Sequence, residues 1–462
     1  MALSGGRDLT RGNAFWNLLT FTVPFLAANF LQVLYGAVDL IIIGHFGGGS
    51  VGVAAVASGC EVLHLLTSLI MGVTAGATVL IGQYYGAGDA ENLRRSVGMT
   101  LSFSFLLSLL LTAVTFLLAP YAIHWIQTPE EAVAPTLRYV WICAAGLVFV
   151  VGYNALSSIF RGYGNSVAPL IFVGVSCGLN IAGDLFFVAG LKMGVAGAAL
   201  ATTLAQAISM AAALWYLRAG DFGFRFIRRN FAIRWDLAWR YLKIGVPIAV
   251  QGSMVGLSFV FIFAIVNTMG VAAAAGYGIC GRINGFAMLP AFSFSMAMSA
   301  ITAQNIGAGK PYRALQTLWL GVGCTMAFGV VALTVLQIWP RWAIGCFIDP
   351  ASEGAEEAIV AGCQYLRSVS WEYVLVPIVF CTNGFFNGCG RTFFSMCNNL
   401  GFTFLARVPA SYILGTLPGA TLFELGFAAP LASFASNVVA LLYLRSGRWR
   451  DRRGPRQSAV KP

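Results

Sequence analysis

The chain has 462 residues, 58% hydrophobic and only 10% charged, with a mean hydropathy of +0.78. Soluble domains carry about 25% charged residues, so the composition excludes an ordinary soluble enzyme or binding module. The net charge of +11 points to no nucleic-acid partner, because the basic residues sit in alternate loops rather than on one surface.

Apolar runs of about 20 residues recur along nearly the whole chain, long enough to cross the hydrocarbon of a bilayer. Lipid offers backbone groups no hydrogen-bond partner, so such runs must be helices or barrel strands. Their length and lack of alternation leave only helices. The fold class is therefore all-α, a polytopic membrane protein of twelve transmembrane helices.

Residues 1–13 form a short polar N-terminus that feeds directly into a full-length span and reads as no cleaved signal. Spans of the first half, 14–217, begin near Ala14, Val53, Leu93, Thr136, Val167 and Gly194. Pro24 removes one backbone hydrogen bond in the first span and predicts a bend there. Asp39 follows within VDLIII, a turn beyond Tyr35. Glu61 and His64 share one helical face of the second span and are candidates to line a cavity. Asp184 lies within IAGDLFF, one turn beyond Asn180.

Residues 218–236 form a basic linker, expected to be partly helical along the membrane surface. The spans of the second half, 237–445, begin near Leu237, Gly276, Tyr312, Ala358, Phe393 and Glu424, and residues 446–462 form a basic tail drawn to anionic lipid. In this half Arg282, Arg407 and Glu372 read as ion-pairing residues, and the sequence flanking Glu372 is too weak a match to assign a second cation site. Ten cysteines with no C-x-x-C spacing read as small buried apolar residues rather than metal ligands or disulfides.

The loop charges orient the spans. Arg94, Arg95, Arg161, the cluster from Arg218 to Lys243, Lys310, Arg313, Arg391 and the tail fall on one side. Loops on the other side hold Lys192 and Arg341 but are otherwise acidic, with Glu130, Glu131, Asp349, Glu353, Glu356, Glu357 and Glu424. The positive-inside bias puts both termini in the cytoplasm.

The halves are related. IGQYYGAGDAENLRR (81–95) aligns with TAQNIGAGKPYRALQ (302–316), LRYVW (137–141) with LRSVS (366–370), FRGYGN (160–165) with FNGCGR (386–391), and Val23-Pro24 with Val246-Pro247. Each match is weak alone, but all keep one order along the chain. Six spans is an even number, so the repeats share one orientation and form two pseudo-symmetric six-helix bundles about an axis along the membrane normal.

A carboxylate at membrane depth costs about 2.5 to 3.5 kcal/mol on insertion scales, so two in one half need a reason. At 1.5 Å per residue Asp39 sits on the order of 10 Å below its outer helix end, Asp184 about 9 Å, and Thr202 about 12 Å. Three oxygen-bearing residues share a level. Carboxylate, amide and hydroxyl oxygens suit sodium, and two neighbouring carboxylates suit a proton.

PFLAANFLQVLYGAVDLIIIGHFGG in the first span, LIGQYYGAGD after the second, FRGYGNSVAPL before the fifth and NIAGDLFFVAGLKMGVAGAALATTLAQ across the fifth and sixth resemble the multidrug and toxic compound extrusion (MATE) transporters of bacterial type. The resemblance runs from about Ala14 to Arg445. It implies a V-shaped central cavity and a bacterial plasma-membrane antiporter that exports organic compounds, cationic or amphipathic, in exchange for H+ or Na+. Under it Asp39, Asn180, Asp184 and Thr202 form the cation site, Tyr139 and Asn154 are polar positions near that site, and bending at Pro24 accompanies transport. The expected partners are a small organic substrate and membrane lipid, with no nucleic acid and no obligate protein partner. No cofactor is expected beyond the coupling ion, and no metal beyond Na+.

Three other functions compete. A lipid-linked oligosaccharide or polysaccharide flippase of the same superfamily would need cavity-facing basic residues, and few lie inside spans. An intramembrane enzyme would need an H-E-x-x-H, G-x-S-x-G or histidine cluster, whereas His45, His64 and His124 are widely separated. A channel is disfavoured by a two-part repeat without a filter-like motif.

Overall fold

The computed structural model describes residues 6–220, 222, 227–348 and 354–450. The first five residues, Arg225 with its neighbours in the linker, Asp349, Glu353 and the tail from Asp451 onward lie outside the described residues.

Helices α1 (Ala14–Phe46), α2 (Gly49–Ala87) and α3 (Ala90–Trp125) open the chain. They run to 33, 39 and 36 residues, longer than the roughly 20 that cross the hydrocarbon. The glycine-rich connections are tight turns. Gly48, Gly49 and Gly88 take positive φ of 106°, 64° and 70°, and Asp89 then caps α3 by accepting from the Asn92 backbone at 3.1 Å. Helix α1 continues unbroken through Pro24.

The fourth span is two helices, α4 (Glu130–Ala145) and α5 (Leu147–Gly162), meeting at 50° across Gly146. A side chain at Gly146 would meet Thr203 Cγ2 at 2.5 Å, so only glycine lets the bend sit against the following helices. Next come α6 (Val167–Asp184), prolonged by a π-helical turn at Leu185–Gly190, and α7 (Gly194–Ala219). The described part of the linker is a 3-10 turn at Arg228–Phe231, tied to α3 by Ser102 Oγ donating to the Phe231 carbonyl at 2.8 Å.

The second half has α8 (Trp235–Asn267), α9 (Val271–Gly307), α10 (Pro311–Ile338) and a short α11 (Pro340–Gly345). Helices α12 (Ala355–Val369) and α13 (Glu372–Gly388) form another bent span, at 54°. Then α14 (Thr392–Phe402), a π-helical turn at Thr403–Arg407 and α15 (Val408–Gly415) follow without interruption, and α16 (Leu422–Gly426) and α17 (Ala428–Arg445) end the described fold. Among the described residues nine helical runs and the two bent pairs are long and apolar enough to cross a membrane. The continuous helical run Thr392–Gly415 falls short of that test, and with it the runs start within a few residues of the twelve positions expected from sequence.

By contact the chain separates into two compact units. The first takes the N-terminal segment to Gly12, Leu19–Ala249 and Gly307–Gly309; the second takes Asn13–Leu18, Val250–Ile306 and the chain from Lys310. The contact boundary therefore lies inside α8, whereas the division by span count falls in the linker. In the first unit Gly72 and Gly76 of α2 let the first half of α8 approach closely. A Cβ at Gly76 would meet Gly245 N and Tyr241 O at 2.9 Å, and one at Gly72 would overlap the Ala249 backbone.

Aromatic residues fill the core there, with Tyr153, Phe160, Tyr163, Tyr216 and Tyr241 all buried. The second unit packs Tyr277, Tyr365, Leu366 and Tyr373 together. Outward faces are apolar, as lipid requires, with Phe105, Leu110 and Leu117 exposed along α3.

Candidate cation site

Three helices of the first unit carry the acidic pair and its neighbours. Asp39 lies on α1 and is 6% exposed; Asp184 ends α6 and is fully buried, as is Asn180 one turn before it. The two carboxyl groups are electrostatic neighbours. Asn180 Nδ2 donates to Thr202 Oγ1 on α7 at 3.1 Å. The structure thus brings Asn180 against Thr202, and Asp39 near Asp184.

The chemistry of this cluster lies in what its oxygens lack. Among the described residues no N–H or O–H group donates to either oxygen of Asp184, to Asp39 Oδ1 or to Asn180 Oδ1. Buried acceptors are normally satisfied, because leaving one unmade costs about 1 to 3 kcal/mol. No Lys or Arg among the described residues pairs with either carboxyl group. Four acceptor oxygens without donors, two of them on one carboxylate, make a place for a positive charge that the protein does not itself provide. Asp184 also stands where α6 widens into its π turn, a distortion that occurs frequently at functional sites.

A small cleft, about 170 Å³ including its open mouth, is lined by Tyr35, Ser176, Cys177, Asn180, Thr202, Ala205 and Gln206. Tyr35, Asn180 and Thr202 were expected from sequence. Ser176, Cys177 and Gln206 were not, although they stand three or four residues from Asn180 or Thr202 and therefore on the same helical faces. Tyr139 is buried near the pair, its ring against Gly59 and its hydroxyl 3.5 Å from Cys60 Sγ. Asn154 instead turns back on its own helix, donating to the Val150 carbonyl at 2.9 Å. Glu61 and His64 are exposed on α2, outside the cleft.

Cysteine burial corrects one expectation. Cys143, Cys280, Cys381 and Cys389 are buried, but Cys60, Cys346 and Cys397 are exposed and Cys177 lines the cleft. All ten are free thiols. Among the described residues no three His, Cys, Asp or Glu side chains come together to hold a metal.

The MatE family model matches residues 24–186 and 247–413, one match in each half. The chain is 27% identical over 445 residues to the probable multidrug resistance protein YpnP of Bacillus subtilis, covering 96% of this chain and 97% of that one. It is 23% identical to the probable multidrug resistance protein NorM of Thermotoga maritima, over 94% and 93% of the two. Among solved structures, MATE in complex with MaL6 superposes with a TM-score of 0.88 at 21% identity, over 95% of this chain and 97% of that one. A MOP superfamily transporter from Pyrococcus furiosus, described as having a binding pocket of reverse polarity that suggests a different function, gives 0.89 at 21% identity over 96% and 98%. Twelve helices in two bundles, a match in both halves and relatives aligned end to end lead to one conclusion: the chain belongs to the MatE family, and it is a multi-pass membrane transporter of the multidrug and toxic compound extrusion type, not an enzyme.

Proposed function

We propose that the protein is a secondary active antiporter that exports organic compounds, cationic or amphipathic, in exchange for H+ or Na+ bound by Asp39, Asn180, Asp184 and Thr202. The observation that carries this reading is the group of buried acceptor oxygens without a donor on two helices, α1 and α6, beside Thr202 of α7. Two carboxylates side by side in a low-dielectric bundle repel, and one cation between them removes that cost. A proton can be shared by the pair; sodium can draw in the Asn180 and Thr202 oxygens. Binding the ion pulls α1, α6 and α7 together, and its release lets them part. Pro24 and Asp39 lie on the same helix, so the same event biases the weakened backbone around Pro24. The names of the relatives support organic substrates, and the scarcity of basic residues inside spans disfavours a polyanionic lipid-linked one.

The test uses inverted membrane vesicles with an imposed proton or sodium gradient, and the uptake of ethidium as a fluorescent organic cation. Asp39→Asn and Asp184→Asn should each abolish gradient-driven uptake at unchanged amounts of folded protein, because an amide cannot exchange a charge. Uphill uptake at near-normal rates in the double variant would refute the site. Thr202→Val identifies the ion. It weakens activation by sodium if sodium is the driver and matters little if protons drive transport, in which case activity follows the titration of the two carboxyls as a pair.

A further inference from the structure

Arg282 reads from sequence as an ion-pairing residue, and the structure gives it no pair. It stands on α9 of the second unit, eleven residues beyond Val271, about 17 Å along the helix. The side chain is exposed, and among the described residues it makes no ion pair, hydrogen bond or ring contact. A charge inside a span is costly, and arginines that occur there face water or a partner and mark the path of a substrate or ion. The protein supplies no partner, so this guanidinium is left for an anion from outside the chain.

Its surroundings on the helix are open. Gly278 and Gly285 lie one turn to either side and Gly281 next to it, and a Cβ added at any of the three would meet nothing within 4 Å. Phe286, one turn further along, is exposed as well. Another face of α9, with Tyr277, Cys280 and Ile283, packs into the core of the unit. The internal repeat adds a second observation. The alignment of 81–95 with 302–316, carried back along the unbroken helices α2 and α9, sets Arg282 in register with Glu61. Glu61 is also exposed and forms no ion pair among the described residues. The fold accepts either sign at this position, so packing does not explain the guanidinium.

One guanidinium balances one negative charge, and its planar fork of donors matches the two oxygens of a carboxylate. The bare glycine floor admits a flat group, and the Phe286 ring offers that group an offset stacking partner. Lipid phosphates stay at the bilayer surface, so an anion that reaches this depth belongs to the solute. We propose that Arg282 binds the carboxylate of an amphipathic aromatic substrate, whose ring lies on the Gly278, Gly281 and Gly285 floor beside Phe286. This names a substrate class for the exporter described above and rests on that reading.

The experiment measures binding without a gradient. Dansylglycine, a fluorescent aromatic carboxylate, is titrated into the full-length protein in phosphatidylcholine nanodiscs, beside dansylglycinamide, which has the same ring and a neutral amide. The wild type should bind the carboxylate about tenfold more tightly than the amide. Arg282→Gln should lose that preference and keep its affinity for the amide and for ethidium. No preference in the wild type, or an undiminished one in Arg282→Gln, overturns the proposal. Equal loss for both probes does so too, because it makes Arg282 a structural residue. If Arg282→Gln does not fold, Gly285→Leu keeps the charge and fills the floor. It should weaken dansylglycine binding about tenfold, and an unchanged affinity overturns the proposal. A trace of phosphatidylglycerol, too little to charge the bilayer, tests the rival occupant: displacement of dansylglycine from the wild type would place a lipid headgroup at Arg282 instead. Gradient-driven ethidium uptake by the wild type tests the exporter reading separately. Its absence refutes the exporter, and the carboxylate preference still decides the role of Arg282.

Discussion

Asn180 joins two helices beside the acidic pair with one hydrogen bond, to Thr202, and leaves its own carbonyl oxygen without a donor. Asn180→Ala removes both the bond and one candidate ligand. A bond of this kind is worth about 1 kcal/mol net, so the ion concentration for half-maximal transport should rise about five- to tenfold. Dose-response curves in vesicles check this, and an unchanged midpoint would detach Asn180 from ion binding. Cys177 lines the same cleft and is part exposed. Alkylation by N-ethylmaleimide should therefore inhibit transport, with Cys177→Ser resistant; equal inhibition in that variant would assign the effect to another thiol. Sequence made Asp39, Asn180, Asp184 and Thr202 visible because polar groups at depth are costly and rise per residue is fixed. Apart from the family resemblance, residue pattern did not separate Asn180 from Asn154. Both are amides within apolar spans, and only the rotation of each helix against its neighbours sends one amide into the cleft and the other back to Val150.

At the scale of elements, the positions of spans were readable from apolar runs, but their internal breaks were not. The π turns at Leu185–Gly190 and Thr403–Arg407 and the bends at 50° and 54° have no composition signature. Gly146 is one glycine among 53, and its role comes from Thr203 lying across it. Gly76 is a comparable case. Gly76→Val should destabilise the first unit by about 1 to 3 kcal/mol through overpacking against Gly245 and Tyr241, read as a lowered Tm in detergent. Gly174→Val, where an added Cβ meets nothing within 4 Å, is the tolerated control, and equal losses in both would refute the close-approach argument. Pro24→Ala restores a helical hydrogen bond in α1. It should lower transport more than it lowers the amount of folded protein, and wild-type rates would leave Pro24 a packing residue only.

For the whole molecule the remaining expectation is orientation. Arg218, Arg229, Arg234, Arg240 and Lys243 surround the linker, and the tail after Arg445 is basic, so both should face the cytoplasm. Labelling of single cysteines introduced at Ile227 and Ser446 in right-side-out and inverted vesicles tests this; reactivity at either from outside would reverse the topology. The sequence by itself determined that the chain lives in lipid, that it folds as all-helical spans in two related halves, and which carboxylates sit at depth. These follow from backbone hydrogen bonding without water, from one apolar run per crossing and from a fixed rise per residue, all of which are local. Tertiary structure alone decided which polar groups share a pocket and which are satisfied elsewhere. It left the oxygens of Asp184 without a donor and supplied Glu372 with the Ser433 hydroxyl. That difference depends on helix rotation, π turns and close glycine contacts between segments far apart in the chain, and no local pattern encodes it.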